Sequence, residues 1–265
     1  MLHHYRIRQE PPTPLFREMT QQQLNMSVIP STISSAADEH RDCDPELLDP
    51  ATFASRRLFD AWKRCFDLLF AVFLLLLSLP VWLLIAILIK IDSRGAVLFV
   101  NLAVGQYGKE FPLYKFRSMH PARQSNVEGA DVARNMLDGT PTTYVDSKPV
   151  YKTALADPTR ITRIGLLLRR TSLDELPQLW NILRGDLSFV GPRPSLLNEV
   201  SRYQDWQKQR LLVPQGLTGL YQVTARNRVP IEEMIRIDLE YIRRRSFWMD
   251  LKILCKTPRA MLSGL

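Results

Sequence analysis

The chain has 265 residues, enough for one buried core with length left over for appendages, and its 46% of hydrophobic residues are concentrated in one block. Its formal charge of +8 asks for an acidic partner, whether nucleic acid, anionic lipid or a phosphorylated substrate, and no zinc-knuckle spacing, RNP-like strand or basic recognition helix favours nucleic acid. Cys43, Cys65 and Cys255 lie far apart, and His3, His4, His40 and His120 pair with no cysteine or carboxylate at ligand spacing, which argues against a disulfide framework, zinc hydrolysis and a Ser-His-Asp triad.

Residues 1–55 are rich in Gln, Pro, Ser and Thr without apolar periodicity, which predicts a disordered tail. They lack the apolar core of a secretory signal, so the chain is expected to start in the cytosol with reduced thiols.

Residues 56–93 are expected to embed in a membrane. Arg56-Arg57 and Lys63-Arg64 precede an uncharged run from Leu68 to Ile89, and Lys90 and Arg94 follow it. At about 1.5 Å per residue the run is long enough to cross a bilayer core of about 30 Å. Pro80 interrupts it, removing a backbone hydrogen bond. A spanning helix carries its positive charge mostly on the cytoplasmic side, so basic flanks at both ends fit a helix that dips in, breaks at Pro80 and returns. A tilted spanning helix with a proline kink is the alternative.

The remaining residues, 94–265, read as one α+β, mainly helical domain. Val97–Leu102 and Phe111–Met119 predict the strands of a hairpin, with a turn over Gly105–Gly108. Residues 121–157 are polar and punctuated by Gly and Pro, which predicts a long surface loop. Helical patterns dominate after Ile161. From Ile231 to Leu262, Ile, Leu, Phe247 and Trp248 mix with Arg243, Arg244 and Arg245, which suits either amphipathic helices on an anionic membrane surface or ordinary packing on the core.

The chemistry concentrates between Thr171 and Asp186. Leu179, Ile182 and Leu183 recur at helical spacing, Gly185 is a stop, and Pro177 is best tolerated in a first turn. A helix therefore starts near Pro177 with Asp174 and Glu175 just ahead of it; an earlier start, with Ser172 as N-cap and Glu175 closing a capping box, is the alternative. In either register the acids lie at the positive end of a helix, which favours ionised carboxylates and attracts phosphate. Adjacent acids can divide phosphoryl transfer, one attacking phosphorus and the other helping to hold Mg²⁺. Arg160, Arg163, Arg169, Arg170 and Arg184 surround them, and Pro192 and Pro194 fix the backbone around Arg193, whose guanidinium can grip phosphate bidentately.

These blocks resemble the bacterial sugar transferase family, the monotopic phosphoglycosyl transferases. The resemblance runs through Lys63-Arg64, Phe66-Asp67, Lys115-Phe116-Arg117-Ser118-Met119, Asp157 to Leu168 and Ser172 to Leu179. It continues through Gly185 to Pro194, Leu217 to Val223 and Asp250 to Leu254, and so covers the chain from Arg56 to its end. It implies a re-entrant membrane helix broken near Pro80 and a catalytic domain facing the cytoplasm of a bacterial inner membrane. It also implies a two-step reaction that initiates exopolysaccharide, capsule or O-antigen synthesis. Asp174 would attack the β-phosphate of a nucleotide sugar, usually a UDP-sugar, and expel the nucleoside monophosphate; polyprenyl (undecaprenyl) phosphate would then take the sugar phosphate. Glu175 would coordinate Mg²⁺ and Arg193 would bind phosphate, with Arg169, Lys115 and Arg117 as further substrate contacts. The partners implied are the nucleotide sugar, polyprenyl phosphate and membrane lipid, with no nucleic acid and with room for a homodimer.

The chain departs from the family pattern at Asn101 and Ala103, where Gln and Arg are usual. Leu79 stands where Ser commonly precedes the proline, and Gln215 is inserted between Pro214 and Gly216. The first two departures motivate a second reading, a non-catalytic membrane scaffold of a polysaccharide assembly system.

Overall fold

The structure, a computed structural model, describes residues 56–120, 143–145, 148–150, 160–225 and 228–262. The expected disordered tail over 1–55 and most of the expected loop over 121–157 lie outside the described residues.

A single helix, α1 (Arg57–Asp92), begins before the apolar run and continues through Pro80. It starts 11 residues ahead of Leu68 because the polar side chains of its first turns have partners on the domain. Arg56 donates to the carbonyls of Arg243 and Arg245 at 2.9 and 3.0 Å. Arg245 forms an ion pair with Asp60, and Lys63 is buried against Asp250. Arg64 donates to Ile182 O and Leu183 O at 2.6 and 2.9 Å, and Asp67 accepts from Phe189 N at 3.1 Å. The expected division into two helices at Pro80 is therefore not what the secondary structure shows: the helix is assigned as continuous. Next to the proline, Ser78 Oγ donates to Leu75 O at 3.2 Å, a back-bond of the kind that bends helices. The helix is long and apolar enough to cross a membrane, and little of its most apolar window is buried by the domain.

The expected hairpin forms from β1 (Leu98–Val104) and β2 (Glu110–Phe116), paired antiparallel with Lys115 opposite Phe99 and Phe111 opposite Ala103. The predicted turn is a short 3-10 segment, Gln106–Gly108. A second hairpin, β3 (Thr143–Val145) with β4 (Lys148–Val150), lies within the stretch read as loop. Helix α2 (Arg163–Thr171) follows, capped by Thr162, whose hydroxyl accepts from Gly165 N at 2.9 Å. The 3-10 turn Leu173–Glu175 leads into α3 (Gln178–Arg184), which starts beside Pro177 and stops at Gly185 in the left-handed conformation, φ 86°.

Strand β5 (Ser188–Val190) comes next, then β6 (Ser195–Leu196), which joins β1 to give the order β2-β1-β6. Two short helices, α4 (Leu197–Val200) and α5 (Asp205–Lys208), lead to β7 (Gly216–Thr218), which pairs parallel with β5. Three helices complete the chain: α6 (Leu220–Thr224), α7 (Ile231–Arg244) and α8 (Phe247–Leu262). The fold is mainly helical with small sheets.

The main core joins Ala71 of α1 to Leu179 and Ile182 of α3, Phe189 and Val190 of β5, and Ile235, Leu239 and Ile242 of α7. Packing on the core is thus the arrangement α7 adopts, whereas α8 leaves Phe247, Trp248 and Leu251 exposed. A smaller cluster joins Ile85 and Ile89 to Phe116 and Leu168.

The outer edge of β2 would leave backbone groups unpaired, and Asn181 of α3 supplies the missing partners. Its buried amide donates to Pro112 O at 2.7 Å and accepts from Tyr114 N at 3.2 Å. Asn181→Ala should destabilise the protein by about 2–4 kcal/mol, the cost of losing two hydrogen bonds and stranding a buried amide. Denaturant titration in detergent, compared with the unsubstituted protein, measures it; an unchanged midpoint would show that α3 holds β2 by other means.

Candidate active site

Asp174 and Glu175 sit in the 3-10 turn between α2 and α3. The turn is set by Ser172, which ends α2 in the left-handed region at φ 55°, ψ 19°. This conformation is uncommon for a residue with a side chain and is held here by the helices on either side. Ser172 makes no side-chain cap, so the capping-box alternative is not adopted. Pro177 reaches the αR conformation as the cap of α3, and the acids stand one turn ahead of that helix.

Both acids are half-buried and face basic residues from two directions. Lys115, near the end of β2, forms an ion pair with Glu175 at 2.8 Å. Arg169, in the last turn of α2, interacts electrostatically with Asp174, and its Nε donates to Ser118 Oγ at 2.9 Å. Burial raises the pKa of Asp174 to about 6, and the neighbouring Glu175 charge pushes the same way while Lys115 and Arg169 oppose it. Burial also lowers the pKa of Arg169, with Asp174 opposing. The result is a desolvated carboxylate with two cations at its side.

Of the six residues singled out from the sequence as catalytic or ligand-binding, the fold thus brings four together: Asp174, Glu175, Lys115 and Arg169. Arg117 is placed elsewhere. Its guanidinium turns to the end of α1, donating to Ser93 O at 2.7 Å, Ser93 Oγ at 2.8 Å and Arg94 O at 2.9 Å. The approach is so close that a Cβ on Gly95 (φ 125°) would lie 2.2 Å from Arg117 Nη1. Expected as a substrate contact, Arg117 lies just beyond the end of β2, where its guanidinium is taken up by the backbone that follows α1.

Arg193 also stands apart from the acids. It pairs with Glu199 at 3.7 Å, and no hydrogen bond or ion pair among the described residues joins it to Asp174 or Glu175. The sheet register gives the scale. Strand β6, two residues beyond Arg193, pairs with Ala103 and Val104, while Lys115 pairs with Phe99. Four residues at about 3.4 Å each separate these positions by about 14 Å along β1.

The Pro-Arg-Pro segment is fixed as its two prolines suggest, and more firmly than they require. Gly191 N donates to Thr218 O at 2.9 Å and Gly216 N to Pro192 O at 2.8 Å. This crossing admits no side chain at Gly216, where a Cβ would lie 2.1 Å from Gly191 N. Beneath it, the fully buried Arg210 donates to Arg193 O, Ser195 Oγ and Tyr203 Oη at 2.7–2.8 Å and pairs with Asp238. Sequence reasoning missed Arg210 and Asn181. Nothing near either of them marks a partner that lies 28 and 69 residues away, respectively.

Among the described residues no group of three His, Cys, Asp or Glu side chains is placed to hold a metal. The pair Asp174 and Glu175 nevertheless fits a hard cation of the Mg²⁺ kind, which uses one or two carboxylates and keeps waters and substrate phosphates as its other ligands. Glu175 is a half-exposed oxygen donor on the open side of the pair.

Comparison with known proteins places this arrangement among relatives. The family model for bacterial sugar transferases matches residues 58–264. The undecaprenyl-phosphate galactose phosphotransferase of Salmonella typhimurium is 36% identical over 200 residues, covering 76% of this chain and 40% of that protein. The uncharacterized sugar transferase EpsL of Bacillus subtilis is 38% identical over 200 residues, 76% of this chain and 87% of its own length. The exopolysaccharide production protein ExoY of Rhizobium meliloti is 36% identical over 220 residues, 83% of this chain and 94% of its own. The chain spans about two fifths of the Salmonella protein and nearly all of the other two. With a match running from the second residue of α1 to beyond the end of α8, the chain belongs to the bacterial sugar transferase family.

Proposed function

We propose that this protein transfers a sugar-1-phosphate from a nucleotide sugar, a UDP-sugar, to undecaprenyl phosphate at the cytoplasmic face of a bacterial inner membrane, as the first step in building an exopolysaccharide or related glycan. The observation that carries the reading is Asp174, desolvated yet held beside Lys115 and Arg169. A carboxylate stripped of water is a stronger nucleophile, and the two adjacent cations are donors that the oxygens of a diphosphate could take as partners. The acceptor is that named for the Salmonella relative, and the glycan class is that named for the Rhizobium relative.

In the proposed reaction an Asp174 carboxylate oxygen forms a bond to the β-phosphorus, and the bond from that phosphorus to the UMP oxygen breaks, with UMP leaving as the electron-pair acceptor. An oxygen of the lipid phosphate then attacks the same phosphorus, and the aspartyl–phosphorus bond breaks to return the carboxylate. Lys115 and Arg169 hold the phosphoryl oxygens on either side, and Arg193, braced by Arg210, takes a more distant part of the donor. Asp174 and Glu175 would hold Mg²⁺, which when bound supplies charge neutralisation for the diphosphate.

The membrane anchor is read as re-entrant. Contacts of both halves of α1 with one domain support this: Phe70 packs on Phe189, Trp82 on Phe116, and Asp92 accepts from Ile164 N. At 36 residues the helix would be about 54 Å long if straight. A plain span would carry one of these contacting ends to the far side of the bilayer. The scaffold reading is less well supported, because the acids and their cations are assembled through Lys115 and Arg169 without Asn101 or Ala103.

Asp174→Asn should abolish UMP release from a UDP-sugar and undecaprenyl phosphate in the presence of Mg²⁺; turnover equal to that of the unsubstituted enzyme would remove Asp174 as nucleophile. Because the ionised form of Asp174 is the active one, kcat/KM should rise with pH through about 6 and then level. Lys115→Met removes a charge that lowers this pKa, so the rising limb should move to higher pH. A limb that stays in place would separate Lys115 from Asp174. Cysteines placed at Leu58 and Ile91, both exposed, should react with an impermeant reagent only from the cytoplasmic side, and periplasmic labelling of either would establish a span instead.

A further inference from the structure

We infer, resting on the function proposed above, that Ser118 is a positioning residue of the active site, its hydroxyl aiming the guanidinium of Arg169 as a fork for phosphoryl oxygens. Ser118 is buried two residues beyond the end of β2, and its Oγ accepts from Arg169 Nε at 2.9 Å. Arg169 in turn interacts electrostatically with Asp174. The hydroxyl thus stands behind the cation, and the acid stands on its other side.

The point of attachment matters. The N–H groups of an arginine lie in one plane, and a bond at Nε fixes that plane. The two terminal nitrogens are then the end that grips two oxygens of one phosphate. Without the bond, the charge would stay near Asp174 and its direction would be lost to side-chain rotation. The type of acceptor matters equally. A carboxylate at this position would hold Nε more tightly, but it would neutralise the cation and place a third negative charge beside Asp174 and Glu175. A hydroxyl directs the guanidinium and leaves its charge for the ligand.

Ser118 can serve as a fixed reference because its own backbone is locked to the start of α2. Thr162 N donates to Ser118 O at 3.2 Å, and the next residue, Met119, bridges to Ile161. The strand tail approaches α2 so closely that a Cβ on Gly165 would lie 2.0 Å from Ser118 O. Gly165 stands four residues before Arg169, one helical turn, so the face of α2 that admits the strand tail also brings Arg169 onto the hydroxyl. Any side chain at Gly165 would push Ser118 off the helix and Oγ out of reach of Nε.

The test uses the full-length protein in detergent and two readouts, UMP release with a UDP-sugar and undecaprenyl phosphate, and calorimetric binding of inorganic pyrophosphate with Mg²⁺. Ser118→Ala should lower both kcat/KM and pyrophosphate affinity about 10-fold, the effect of losing one hydrogen bond to a charged group. Ser118→Thr, which keeps the hydroxyl, should stay within about 2-fold of the unsubstituted protein in both. In an Arg169→Met background, which has no N–H to direct, Ser118→Ala should cost no further kcat/KM. An equal loss with and without Arg169 would overturn the proposal, because it would show that Ser118 acts by packing alone. Unchanged pyrophosphate affinity in Ser118→Ala, or no pyrophosphate binding by the unsubstituted protein, would overturn it as well. Absence of UMP release from the unsubstituted protein would instead remove the proposed function, and pyrophosphate binding would still decide whether Ser118 directs the fork.

Discussion

The arrangement of the whole site depends on one buried amide. Strand β2 is the edge of its sheet, and an open edge at this position would have no fixed relation to the helix beside it. Asn181 occupies the edge as a strand would, donating to one carbonyl and accepting from one amide two residues away. Because Asn181 belongs to α3, this fixes the acid-bearing turn to the strand that carries Lys115. The other end of α3 is held from the membrane side, where Arg64 binds its last carbonyls. A seven-residue helix with little intrinsic stability is thereby clamped between the sheet and the anchor.

Consecutive residues at and just beyond the end of β2 contact the acids on one side and α1 on the other. Lys115 pairs with Glu175, Phe116 packs on Trp82 of the anchor, and Arg117 binds the backbone where the anchor ends. Ser118 then receives Arg169. Lys115 and Phe116 are adjacent in β2 and so point to opposite faces, one toward the acids and the other toward α1.

How much of this was legible in the sequence depended on whether the determining partner was local. Pro177 and Gly185 bracket α3 by backbone geometry alone, and the structure starts and stops the helix there. The hairpin was legible from apolar strands around a glycine-bearing turn. The strands β5, β6 and β7 were not, because two or three residues are too few to show alternation. The early start of α1 was hidden for another reason. Asp60, Lys63, Arg64 and Asp67 look like an aqueous flank, and only partners more than 100 residues away make them part of a packed helix. Arg117 and Lys115 were indistinguishable as basic residues two apart; which one faces the acids follows from their neighbours in space, and one sequence does not contain that information.

Charge balance around Asp174 explains why the proposed chemistry needs a further cation. Asp174 and Glu175 contribute two negative charges when ionised, and Lys115 and Arg169 contribute two positive charges, so the assembled group is close to neutral. Neutrality suits the protein alone: it lets two carboxylates share a half-buried site at a tolerable cost in repulsion. It does not suit a diphosphate, which would bring uncompensated negative charge into a region where water is partly excluded. Arg193 cannot correct this locally, since it is tied to Glu199 and lies toward the other end of the sheet. A divalent ion held by Glu175 and Asp174 would restore the balance at the reacting phosphorus and arrive with the substrate's own oxygens as ligands. The same ion would offset the charge of Glu175, which adds to burial in raising the pKa of Asp174, and so would favour the ionised nucleophile when the donor is in place.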